Sequence, residues 1–138
     1  MQKIYLKPTV NEITIKGTSK EGHTDVFAYD YYDDDNKRKL GGLYIVGNVK
    51  QDDAANAENS PDIAYVTNLV ASLAKREYYS RPNISPRDAF SATLKKINDV
   101  VEEFFKNKSL NVSIGIFAIA GEVIMISKLG IFNIILGR

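Results

Sequence analysis

The sequence predicts an α+β fold: a layered sandwich of mainly antiparallel β-sheet with two antiparallel helices against it. Three observations lead there. Apolar residues recur at strand spacing before Val46 and again after Leu110. Between these stretches lie two segments with helical periodicity, each opening on Ser-Pro. Strands therefore come first, helices next and strands last, without the β-α-β alternation of a doubly wound nucleotide-binding sheet.

The elements follow in order. Lys3 to Lys7 and Val10 to Lys16 read as short strands, broken at Pro8 and ended near Gly17. Asp25 to Tyr32 is aromatic and roughly alternating, hence a strand. Asp33 to Lys39 is fully charged or polar and reads as a hairpin tip, with Gly41-Gly42 as its return. The continuous apolar run Leu43 to Val46 predicts a strand covered on both faces. Gln51 to Ser60 has no periodicity and reads as a surface loop.

In the first helix Ile63, Val66, Leu69, Val70 and Leu73 form one stripe. The second helix opens on Ser85-Pro86, with Asp88 completing an aspartate variant of the capping box. Its stripe is Phe90, Leu94, Ile97, Val101 and Phe104, with Lys95, Lys96, Glu102 and Glu103 outside. The link from Tyr78 to Ile84 is short enough to make the helices antiparallel neighbours. Leu110 to Ala120, Val123 to Ser127 and Ile131 to Leu136 then read as three strands, turning at Gly121-Glu122 and Leu129-Gly130.

Composition narrows the function classes. The chain has 138 residues, which predicts one domain spanning 1–138. Eighteen basic residues stand against seventeen acidic ones, so no excess charge drives binding to nucleic acid or a membrane surface. The absence of cysteine excludes a thiolate nucleophile or a cysteine-ligated zinc, and suits a reducing cytoplasm. No secretory h-region or membrane helix is read from the sequence.

Individual motifs are bland. Asp30, Asp33, Asp34 and Asp35 cluster, but Lys37, Arg38 and Lys39 stand where a calcium loop needs glycine and a bidentate glutamate. The same aspartates offset that basic run. His23 is the single histidine and has no G-x-S-x-G nucleophile to serve. Gly41-Gly42 lacks the Lys-Ser/Thr of a phosphate loop. Tyr78-Tyr79 reads as core or edge packing.

Several local patterns resemble the amino-terminal half of the metal-dependent protein phosphatases, the type 2C or PPM class. Gly22-His23-Thr24-Asp25-Val26-Phe27 stands where that family has Asn-Glu-Asp before a strand. Gly42 to Val49 resembles the strand leading into its Asp-Gly turn, and Ser85-Pro86-Arg87-Asp88-Ala89-Phe90 its Ser-Pro helix opening. Ser127 to Asn133 resembles the strand and Gly-Asp turn that follow. The resemblance implies a phosphatase-like fold whose metal carboxylates are replaced: Asn48 for the bridging aspartate, Thr24 for the glutamate and Ile131 for the later aspartate. Of these carboxylates only Asp25 is retained. An amide cannot supply the anionic bridge that holds two divalent ions.

The expectation is therefore a non-catalytic domain without cofactor, acting as a protein-interaction or assembly module. Its partner would be another protein or a second copy, through a sheet face or the apolar carboxy-terminal strand. The other reading is a Mg²⁺- or Mn²⁺-dependent Ser/Thr phosphatase completed from elsewhere, with Asp25 joined by Asp52 or Asp53. Against a family fold of ~250 residues, itself at the upper end of single-domain sizes, the chain reads as half a fold.

Overall fold

The structure is a computed structural model that describes residues 7–15, 22–51, 63–105, 110–130 and 133–137. Its elements are β1 (Gly22–Asp30), β2 (Gly42–Gln51), α1 (Ile63–Tyr78), α2 (Pro86–Phe105), β3 (Leu110–Ala120) and β4 (Val123–Leu129). The four strands form one sheet in the order β1-β2-β3-β4, every neighbouring pair antiparallel. The helical pair is inserted between β2 and β3, which nonetheless lie side by side. The α+β layered architecture read from the sequence is what the chain adopts.

Local chemistry explains the boundaries. The backbone N–H of Asp88 donates to Ser85 Oγ at 3.1 Å, so Ser85 caps α2 as its Ser-Pro opening predicts. Gly121, with φ of 61°, takes the first place of the two-residue turn that pairs Ala120 with Val123. A side chain there would be strained, and Glu122 needs no positive φ.

Strand alternation divides the sheet. Register places Phe27, Ile45 and Ile116 on one face and Val26, Val46 and Gly115 on the other. The helices cover the first face. Leu43, Ile45, Ile114, Ile116 and Ala118 pack there with Val70, Leu73, Ala74 and Tyr78 of α1 and Phe90 and Ile97 of α2. Each fully buried aliphatic side chain of this kind stabilises the fold by roughly 1.5–3 kcal/mol. Gly47 lets α1 approach closely, since a β-carbon there would lie 3.1 Å from the Thr67 methyl. The buried hydroxyls of Thr67 and Thr93 donate to the carbonyls of Ala64 and Ala89 within their own helices. That satisfies two polar groups that burial would otherwise penalise.

The hairpin return is tied from α1. Tyr78 donates to the Leu40 carbonyl at 2.7 Å, and Tyr79 to the Gly41 carbonyl at 2.8 Å. The Tyr78-Tyr79 pair thus does more than fill space: it fixes the loop that joins β1 to β2.

Three expectations need correction. Residues 10–15 form no strand and expose Ile13 and Ile15, although Val10 to Lys16 has strand composition. Residues 133–136 likewise form no strand, so the carboxy-terminal strand Ile131 to Leu136 is not built over its described part, and Ile135 is 89% exposed. The physical reason is shared: β-branched composition only makes a strand where a ladder partner is available. Third, the run Leu43 to Val46 is covered on one face, because the helices supply one layer and Tyr44 and Val46 point to the other side. Lys3 to Leu6, the Ser60-Pro61 opening and the loop after Gln51 lie outside the described residues, as do Ile131 and Phe132.

Candidate functional site: the sheet's outer face and its polar end

The residues singled out for metal chemistry sit at one end of β1 and β2. Thr24 and Asn48 are direct cross-strand partners, and Asn48 Nδ2 donates to Thr24 Oγ1 at 2.6 Å. Asp25 is the next residue along β1, so alternation turns it to the opposite, helix-side face. There Oδ1 accepts from the Val26 N–H at 3.0 Å, and Oδ2 lies 3.4 Å from His23 Nε2. The positions of Asp25, Thr24 and Asn48 therefore do not converge. Restoring the missing acids at Thr24 and Asn48 would put them together on one face and leave Asp25 on the other. Two-metal hydrolysis needs carboxylates around one point, and these residues do not fit it. No group of three or more His, Asp or Glu that could hold a metal occurs among the described residues. Asp52, Asp53 and Ile131 fall outside them.

The acidic hairpin is likewise dispersed. Asp34 Oδ1 accepts from the backbone N–H groups of Asn36 and Lys37 at 2.8 and 2.9 Å, stabilising the turn. Asp35 pairs with Arg38 at 3.0 Å and Asp33 with Lys7 at 3.3 Å. Asp33, Asp34 and Asp35 each have a separate partner, which is the pattern of a solvated hairpin and not of a calcium loop.

What the structure does assemble is the sheet's outer face. Val26 and Ala28 on β1, Tyr44 and Val46 on β2, Phe117 and Ile119 on β3, and Ile124 and Ile126 on β4 share it by register. They occupy the half of the face toward Asp30, while Thr24, Asn48, Lys50, Asn111 and Ser113 make the other half polar. Tyr32 reaches the apolar end: its hydroxyl donates to the Ile119 carbonyl at 3.0 Å and lies 3.3 Å from the Tyr44 hydroxyl. Burial, with the Tyr44 hydroxyl next in weight, pushes the Tyr32 phenol far above its ordinary value, so it stays a donor. No described helix or strand covers this side. Ile124 and Ile126 remain 59% and 47% exposed. Four strands at ~4.8 Å spacing, each giving two outward residues ~6.7 Å apart, make an apolar footprint on the order of 250 Å², a contiguous patch of a few hundred Å².

Sequence reasoning missed these residues individually. The available signal was that β3 is apolar at both parities, as in Ile114, Ile116 and Ala118 against Phe117 and Ile119. A strand with one solvated face should alternate.

Fold and site together define, among the described residues, a two-layer α+β arrangement with one helical layer and a half-apolar sheet face that no described helix or strand covers. No family model matches the chain, and neither a curated protein nor a solved structure does. Among the described residues no helix is long and apolar enough to cross a membrane.

Proposed function

We propose that this chain is a non-catalytic, phosphatase-like cytoplasmic domain that acts as a protein-interaction or assembly module. It presents the outer face of its sheet to another protein or to a second copy. The observation that carries this reading is the apolar half-face from Val26 to Ile126, left uncovered among the described residues while both helices pack on the sheet's other side. Burying such a face against a partner removes apolar area from water at about 25 cal/mol per Å² before the costs of association. The divergence of Asp25 from Thr24 and Asn48 supports the non-catalytic part. The strand-helix-strand order and the Ser85 cap support the phosphatase-like part.

The test combines light scattering, binding of an apolar fluorescent dye, and Mn²⁺ titration. Dye binding or mass growth with concentration is expected, and the double variant Val46→Lys, Phe117→Lys abolishes it. A monomer at high micromolar concentration that also binds no dye would sink the assembly reading. Stabilisation saturating at micromolar Mn²⁺, with phosphoester turnover lost in Asp25→Asn, would establish the metal-dependent phosphatase in its place.

A further inference from the structure

A second feature lies away from the outer face, where the hairpin meets the carboxy-terminal half of α1. An open cavity of about 380 Å³ is lined there by Tyr29, Tyr31 and Tyr79, by Ser72, and by Lys37, Lys75 and Arg76. Three cations line it, and no carboxylate does. In a chain whose net charge is only +1, that is a local concentration of one sign.

Two of the cations are held in place, and none of the three pairs with a carboxylate among the described residues. Lys37 Nζ sits 4.6 Å from the centre of the Tyr31 ring, and Lys75 Nζ 4.8 Å from that of Tyr29. The rings are themselves braced. Tyr31 and Tyr79 meet edge to face at 4.5 Å, and the Tyr79 hydroxyl donates to the Gly41 carbonyl. Nearby carboxylates are committed elsewhere: Asp33 to Lys7, Asp35 to Arg38, Glu77 to Arg81, and Asp34 to backbone N–H groups. None pairs with Lys37, Lys75 or Arg76 among the described residues. The sequence-level expectation that the aspartates neutralise the basic run thus holds for Arg38 and fails for Lys37.

We infer that this cavity is a binding site for a small phosphate monoester. Converging cations repel one another, and a bound dianion relieves that repulsion. Arg76 offers a planar fork matched to two phosphate oxygens, while the two lysines act as point charges. The Ser72 hydroxyl, one helical turn before Arg76, adds a neutral donor. The volume exceeds what a bare phosphate needs and lies within the range of small-ligand pockets. The tyrosine walls therefore have room to enclose the organic part of the ester. Because the ammonium groups are already seated over rings, little side-chain ordering is left to binding.

The experiment titrates the intact chain with inorganic phosphate, adenosine monophosphate and adenosine by calorimetry at constant ionic strength. Backbone amide shifts are followed in parallel. Saturable one-to-one binding of the phosphate-bearing probes is expected, with shifts confined to residues around Tyr31, Ser72 and Arg76. Adenosine should not bind. Tighter binding of the nucleotide than of inorganic phosphate assigns the ester, and equal binding assigns the phosphate group alone. Lys37→Gln with Arg76→Gln should weaken binding by about tenfold or more. Lys95→Gln with Lys96→Gln, on the exposed side of α2, serves as a charge-matched control that leaves it unchanged. No saturation below about 1 mM, or affinity that survives the double variant with the fold intact, overturns the assignment. In that case Lys75 and Arg76 serve only the helix carboxy-terminus, whose dipole they also complement.

Discussion

The helix-side and outer faces of the sheet are made from alternate residues of the same four strands, and both are rich in Ile, Val and aromatic side chains. On the helix side Leu43, Ile45 and Val49 are buried completely or nearly so, because two amphipathic helices deliver a matching apolar stripe. On the outer side Tyr44, Val46 and Phe117 are half-buried with no described helix over them, and Ile124 and Ile126 remain open to water. The strand composition is similar, so composition does not set the difference. It is set by whether a second layer exists. A sheet with one layer of helices has spent half of its apolar residues on a core and holds the rest for contact.

Substitutions on paired positions sharpen that contrast. Ile45→Ala, in the core, should destabilise the protein by about 2–5 kcal/mol through lost burial and a residual cavity, read from urea denaturation. Tyr78→Phe removes the hydroxyl that serves the Leu40 carbonyl and should cost about 1–3 kcal/mol, since a buried acceptor is left unpaired. Ser85→Ala should cost about 1 kcal/mol by uncapping α2. Val46→Ala, one residue from Ile45 but on the outer face, should change stability by less than about 1 kcal/mol. A Val46→Ala effect as large as that of Ile45→Ala would break the comparison, because the outer face would then be covered.

Alkaline pH probes the covered side without mutation. Burial pushes the phenols of Tyr78 and Tyr79 far above the ordinary value of 10.0. Above that pH the unfolded chain gives up these protons while the folded chain keeps them. The contribution to stability is full below pH 10.0 and declines as pH rises above it. Urea midpoints followed from about pH 9 to about pH 11 should therefore fall, and should fall less in Tyr78→Phe.

Much of this architecture was legible from local pattern. Ser85-Pro86 placed the start of α2, and Gly121-Glu122 placed the turn from β3 to β4. Phe90 and Ile97 are buried as their spacing requires, with Lys95, Lys96, Glu102 and Glu103 outside. Failures came where pattern depends on partners. Residues 10–15 and 133–136 have strand composition and no ladder to join, and Leu43 to Val46 has the apolar run of a doubly covered strand over a singly covered sheet. The candidate metal residues fail for a different reason. Adjacency in sequence brings Thr24 and Asp25 together, while the two-residue period of a strand sends them to opposite faces.

The sequence by itself determined the order of the four sheet strands around two helices, the Ser85 cap of α2, the turn at Gly121-Glu122 and which helix faces are apolar, because each depends on neighbours a few residues away. Tertiary structure decided that β2 and β3 lie adjacent across the helical insertion, that both described helices pack on one sheet face, and that Lys37 joins Lys75 and Arg76 around one cavity. Those outcomes rest on contacts between residues far apart in the chain. Local spacing constrains such contacts without choosing among them.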